Sequence, residues 1–194
     1  MLGAGGRYHV PTVMDQQRLK AILSGRRRGP LAAAARAALS VAAVPYAAAM
    51  RVRRWAYRRG VLPSRAAPVP VICVGNLTTG GTGKTPMVAW VVRQLELLGR
   101  RPAVLTRGYK AVAGRSDEAE LLRQLCGVEV VVNADRLAGA AAAARAGCDV
   151  CVMDDGFQHR RLRRELDIVL VDAAEPFGFG RCLPRGLLRE PPSA

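Results

Sequence analysis

Gly75-Asn76-Leu77-Thr78-Thr79-Gly80-Gly81-Thr82-Gly83-Lys84-Thr85 is the stretch whose reading decides the fold. It follows a short apolar run, Val69–Val74, and leads into a predicted helix, Thr85–Leu98. A strand, a glycine-rich loop and a helix in that order form the setting of a phosphate-binding loop. Glycines let successive backbone N–H groups turn inward around phosphates without Cβ clashes, and the helix N-terminus adds partial positive charge. Lys84 then reaches the β- and γ-phosphates of ATP, and the Thr85 hydroxyl ligates Mg²⁺. The expected ATP-binding residues are Thr78, Thr79, Gly80, Gly81, Thr82, Gly83, Lys84 and Thr85. The loop departs from G-x-x-x-x-G-K-S/T at Thr78, where glycine is usual. Thr79 excludes the K-G-G-x-G-K-T variant of partition-type ATPases. Lysine occurs only at 20, 84 and 110 in this arginine-rich chain, so a lysine at the loop's end is an added hint.

Beyond the loop the pattern repeats. Ala103–Thr106, Val128–Val132, Val150–Met153 and Ile168–Val171 read as strands; Asp117–Leu125 and Asp135–Ala146 read as helices. Short apolar strands alternating with helices predict an α/β fold, a P-loop NTPase-like parallel sheet flanked by helices. A second signal closes the fourth of these strands: Cys151-Val152-Met153-Asp154-Asp155-Gly156-Phe157-Gln158-His159. Carboxylates at the C-terminal end of a parallel strand are where such proteins hold Mg²⁺, so Asp154 and Asp155 join Thr85 as expected metal ligands. Asp-Asp-Gly is also a common solvated turn, but behind a phosphate loop the ligand reading prevails. Asp117-Glu118 opens a helix and reads either as N-terminal capping or as functional carboxylate. His159 is equally open, a ligand contact or a turn residue.

The net charge is +15, which favours anionic partners. Part of that charge reflects an arginine- and alanine-rich composition that resembles a coding bias. Half of the residues are hydrophobic, enough for a packed core. Five cysteines at irregular spacing argue against a disulfide framework. Cys148 and Cys151 form a C-x-x-C, but they flank an apolar run and read as packing. Residues 1–65 read as an N-terminal basic, Ala-rich helical segment with a linker at Pro63–Pro70, and residues 66–194 as the P-loop core. Residues 1–30 read as a loose lead-in without the pattern of a signal peptide. Leu31–Met50 is Ala-rich; Arg51, Arg53, Arg54, Arg58 and Arg59 follow, with Trp55 and Tyr57 among them. That arrangement suits a helix lying at a membrane interface and equally an ordinary surface helix. Arg36 and Pro45 count against a transmembrane span.

These pieces together resemble the tetraacyldisaccharide 4′-kinases. Pro70–Leu77 running into Gly80–Pro86 is similar to that family's P-loop segment, where Thr78 is ordinary. Thr106-Arg107-Gly108-Tyr109 resembles its S/T-R-G-Y segment, which makes Arg107 a candidate. Asp154–His159 resembles D-D-G-x-Q-H. Phe177–Gly180 with Leu183–Pro191 resembles F-G-x-G and L-P-x-G-x-L-R-E-P. The resemblance spans roughly residue 32 to the last residue. It implies transfer of the γ-phosphoryl of ATP to the 4′-hydroxyl of a lipid A disaccharide 1-phosphate, at the cytoplasmic face of the inner membrane. The protein would be peripheral or monotopic on that anionic surface. Asp117 matches the Asp of the family's D-E-P motif, which implies a base for the sugar hydroxyl, with Glu118 beside it. Ala119 stands where many members have proline, and the stretch between Tyr109 and Asp117 is short.

Members of the family usually continue into a second half that supplies a histidine assisting the catalytic Asp. The 194-residue chain is therefore expected to be a fragment or truncated product that binds ATP without efficient turnover. Two other readings stand beside the lipid kinase: a nucleotide-binding regulator whose basic N-terminus binds nucleic acid, and a P-loop kinase of a small soluble acceptor. Against the regulator, no helix-turn-helix, zinc-finger or aromatic RNA-binding pattern is visible, so no nucleic acid is expected. No protein partner is predicted.

Overall fold

Five apolar runs become five parallel strands: β1 (Val71–Asn76), β2 (Pro102–Thr106), β3 (Glu129–Val132), β4 (Val150–Asp154) and β5 (Leu166–Leu170). Their order across the sheet is β3-β2-β4-β1-β5. The computed structural model describes residues 20–108 and 117–192. The lead-in before residue 20, Tyr109 and the stretch before Asp117 lie outside the described residues. Strands β2 and β4 are buried at every position, which explains why they read as continuous apolar runs rather than alternating ones.

Alternate residues feed two cores. Cys73, Ala103, Leu105, Cys151 and Met153 point to one face and pack with Ala140 and Ala143 of α4 (Arg136–Arg145). Val74, Val104 and Val152 point to the other, against Val88, Val91 and Val92 of α2 (Lys84–Leu97) and Leu122 of α3 (Asp117–Cys126). Helices on both faces of a parallel sheet follow from that two-sided burial. Predicted boundaries shift by one or two residues. The largest shift has a cause: Pro70 lacks the N–H a ladder needs, so β1 begins at Val71, while the Pro70 carbonyl accepts from Cys151 N at 2.9 Å. Cys151 is wholly buried and Cys148 packs against the same core, as the packing reading expected. Burial pushes the Cys151 thiol up to about 12.

The Ala-rich stretch and the Arg cluster form one helix, α1 (Pro30–Arg58), begun by proline at its first turn. Pro45 stands inside it and leaves the Val41 carbonyl without its usual ladder partner. By length and composition α1 is apolar enough to cross a membrane, with mean hydropathy 1.4 over its best window, of which 11% is buried. The Pro63–Pro70 stretch is tied to the core: Arg65 N donates to Arg161 O, and Arg163 N donates to Arg65 O, at 2.9 and 2.8 Å.

Packing density makes Leu105, fully buried between β2 and α4, a sensitive position. Leu105→Ala is expected to lower unfolding stability by about 2–5 kcal/mol, whereas the half-exposed Leu125→Ala changes it by less than ~0.5 kcal/mol. Urea unfolding of both variants checks this; equal shifts would refute the assignment of the core.

Candidate active site

The loop between β1 and α2 has little internal bracing. Asn76, wholly buried at the end of β1, donates from Nδ2 to Thr82 Oγ1 at 2.9 Å and to Gly80 O at 3.4 Å. The rest of its support comes from far along the chain. Thr79 N donates to Leu187 O at 2.8 Å, Arg189 N donates to Leu77 O at 2.8 Å, and Thr78 pairs antiparallel with Leu188. The Leu77 carbonyl and the Thr79 N–H are thus spent on this second limb. Among the described residues no carbonyl takes the N–H groups of Gly80, Gly81, Thr82, Gly83, Lys84 or Thr85. Gly83 turns the chain into α2 with φ of 74°, a conformation that L side chains rarely adopt, and gives that helix no side-chain cap. The result is a row of free donors at a helix N-terminus, an anion site by construction.

The acidic end of β4 is held against this loop by close contact. A Cβ on Gly75 would lie 2.6 Å from the Cβ of Phe157, so only glycine lets the turn after β4 pack there. Gln158 Nε2 donates to Asn76 O at 3.1 Å across the same seam. Asp155, at φ of 49°, accepts from Arg189 Nη1 at 2.9 and 3.0 Å and lies 3.7 Å from Lys84 Nζ. Arg189 Nη1 also reaches Gln158 Oε1 at 3.2 Å. Asp154 is only 2% exposed, and its Oδ1 has no hydrogen-bond partner among the described residues. Burial, with Glu118 and Asp155 adding and Lys84 opposing, pushes its carboxyl up to about 6.

A cleft of about 800 Å³ opens over these groups. Asp154, Asp155, Glu118, His159, Arg107 and Arg136 line it, joined by Arg189 and by Tyr46, Met50 and Arg53 from α1. Of the expected carboxylates before α3's body, Glu118 faces the cleft, while Asp117 opens the helix as an exposed residue outside its lining. His159 donates its backbone N–H to Gly156 O at 2.7 Å and keeps its ring half-buried. Burial and then Arg136 hold that imidazole below its ordinary pKa. Arg136 is buried, donating to Asn133 O and Ala134 O at 3.0 and 3.3 Å. Asp135 caps α4 through Leu137 N and Ala138 N, which fixes where Arg136 begins the helix. A second cleft, of about 620 Å³, lies on the β5 side of the loop and shares Thr79 with the first.

Sequence reading missed Arg189, Gln158, Arg136, Asn76, Arg53 and Tyr46 as parts of this constellation. Gln158 and Arg189 sat inside motifs already noticed. Arg53 and Arg136 carried no signal that separates them from the chain's other arginines.

The sequence model of the tetraacyldisaccharide-1-P 4'-kinase family matches residues 35–194. A tetraacyldisaccharide 4'-kinase of Halorhodospira halophila is 49% identical over 168 residues, covering 79% of this chain and 51% of that protein. One from Anaeromyxobacter dehalogenans is 45% identical over 195 residues, covering 91% of this chain and 52% of that protein. The chain spans about half the length of the curated relatives it matches. The crystal structure of the "apo" form of LpxK from Aquifex aeolicus in complex with ATP is similar in fold. Its TM-score is 0.70 at 35% identity, over 80% of this chain and 54% of that one. The free loop amides, the acidic end of β4 and the Leu187–Arg189 limb all lie inside the matched stretch, and the chain belongs to the tetraacyldisaccharide-1-P 4'-kinase family.

Proposed function

We propose that this chain is the nucleotide-binding part of an ATP-dependent kinase acting on the 4′-hydroxyl of a lipid A disaccharide 1-phosphate, at the cytoplasmic face of the inner membrane. The observation that carries the reading is the buried Asp154 Oδ1, which has no partner among the described residues, beside a loop whose N–H groups from Gly80 to Thr85 have none there either. The ATP bound by the Aquifex aeolicus relative supports the same ligand here. The triphosphate would lie on those amides and Lys84, the acceptor sugar in the larger cleft, and the nucleoside in the cleft on the β5 side.

Mg²⁺ fits the residues present. A buried carboxylate oxygen without a partner among the described residues suits a cation, and Thr85 stands in the first turn of α2 after Lys84. An ion of this kind takes one or two carboxylates and shares the phosphates. Asp154 and Asp155 with Thr85 would hold it, and when bound it neutralises charge on the phosphates.

In the transfer, the 4′-hydroxyl oxygen forms a bond to the γ-phosphorus as the bond to the β,γ-bridging oxygen breaks, leaving ADP. The hydroxyl proton passes to Asp117, with Glu118 adding negative charge beside it. Lys84 and Arg189 stabilise the charge spread over the transferred oxygens. Arg107 and Arg136 attract the anionic acceptor. The exposure of Leu31, Val41, Val44 and Trp55 on α1, with Arg59 stacked on Trp55, supports seating on an anionic membrane surface.

Lys84→Ala is expected to weaken ATP binding at least ~100-fold while co-sedimentation with phosphatidylglycerol vesicles is kept. Undiminished ATP binding, read by calorimetry, would refute the loop assignment. Asp117→Asn, in a chain extended to its relatives' length, should lower kcat by about 100-fold or more at unchanged KM for ATP. A loss seen only in Glu118→Gln would move the base to Glu118.

The raised Asp154 carboxyl gives a signed pH dependence. Its folded pKa exceeds its unfolded value, so its stabilising contribution is complete below 3.8 and is lost as pH rises through about 6. At about pH 7.5, Asp154→Asn should therefore unfold later than the parent by up to roughly 3 kcal/mol, the two converging near pH 4. Mg-ATP affinity should move the opposite way in the parent, rising from pH 5 to 7, and be weak and flat in the variant. Urea titrations and calorimetry across that range read both; parallel stability curves would refute the assignment.

A further inference from the structure

Helix α1 packs on neither face of the sheet, yet two of its side chains reach into the site. Tyr46 Oη donates to the Arg189 carbonyl at 2.9 Å, and Arg53 Nη2 donates to the Gln158 carbonyl at 3.0 Å. Among the described residues these are the hydrogen bonds that join α1 to the core. Their acceptors are not arbitrary. Arg189 N–H holds the Leu77 carbonyl, and the Gln158 side chain holds the Asn76 carbonyl. Two separate chains of contact thus leave one helix and end on consecutive residues at the stem of the phosphate loop. The chains are also cross-linked, because Arg189 Nη1 bonds Gln158 Oε1. From Arg189 a branch runs on to Asp155, and Asp155 faces Lys84 at 3.7 Å.

We propose that Tyr46 and Arg53 are positioning residues, which fix the loop stem and Asp155 from α1 and so couple the setting of that helix to nucleotide binding. The inference rests on the nucleotide reading given above. The physical basis is economy of attachment. An otherwise exposed helix with two polar anchors shifts as a body, and both anchors end on the same short stem. The face of α1 opposite these anchors carries exposed Val41, Val44 and Val52, available to a lipid surface. Whatever displaces α1 toward or away from the core then acts on Arg189 and Gln158 through these two bonds.

The test uses the full 194-residue chain, calorimetric Mg-ATP binding and thermal melting. Tyr46→Phe removes only the donor and keeps the ring. Its expected effect is a loss of ATP affinity of roughly two- to twelvefold, the span of one ordinary hydrogen bond. The exposed control Val41→Ala should leave affinity unchanged. A merely structural role would lower the melting midpoint without this loss. The decisive readout is a double-mutant cycle: in an Arg53→Gln background, where the helix's other anchor is already released, the further substitution Tyr46→Phe should change affinity less than twofold. An equal loss in both backgrounds, or no loss in either, overturns the coupling. Absence of ATP binding by the unaltered chain overturns the nucleotide reading and this proposal with it. Binding that is measurable and indifferent to Tyr46→Phe overturns this proposal alone.

Discussion

Backbone N–H groups kept free for a phosphate cannot also hold their own loop together, and the rest of this structure follows from that constraint. From Gly80 to Thr85 the backbone N–H groups have no backbone partner among the described residues, so the loop's shape is imposed from outside. The Leu187–Arg189 limb supplies an antiparallel partner for Leu77–Thr79, Asn76 ties the stem to Thr82, and Gln158 ties the stem to the turn after β4. Each brace comes from a different part of the chain. Each contact that holds the stem in place before the ligand arrives lowers the ordering entropy lost on binding.

The same arrangement bears on how so many charges share one cleft. Asp154, Asp155 and Glu118 line it with Arg53, Arg107, Arg136 and Arg189, and Asp155 is paired with Arg189 and with Lys84 beside the cleft. Asp154 is the exception, fully enclosed and lacking a partner at Oδ1 among the described residues, and its raised pKa records that imbalance. Surplus negative charge inside a surplus of positive charge is an arrangement for handling a polyanion together with a cation. It also shows why basic composition alone was a poor guide, since the arginines that matter are those brought to one cleft from α1, β2, α4 and the Leu187–Arg189 limb.

Much of this was legible in the residue order because parallel sheets and phosphate loops are local objects. Buried strands read as apolar runs, and a glycine-rich turn running into Lys84-Thr85 at a helix start suits few tasks besides holding phosphate. Boundaries moved by no more than two residues, at β1 because Pro70 withheld a donor. What stayed hidden depends on long-range contact. Nothing within ten residues of Arg189 says that its guanidinium meets Asp155, and nothing near Tyr46 says that its hydroxyl meets the Arg189 carbonyl. The Pro63–Pro70 stretch looked like a spacer because its bonds go to Arg161 and Arg163, far away in the chain. Glu118 rather than Asp117 lines the cleft because of how α3 sits on the sheet, which adjacent carboxylates cannot reveal from their order alone.

The brace on the phosphate loop also sets when the loop can exist during synthesis. Thr79 and Leu187 are 108 positions apart, so the loop leaves the ribosome long before the limb that shapes it. At ordinary rates of translation that delay is roughly 5 to 20 s. Through that interval the nascent sheet can assemble β1, but the stem of its loop has no second limb to pair with. Nucleotide therefore cannot template the early fold, and competence for ATP arrives late, as a consequence of contact order.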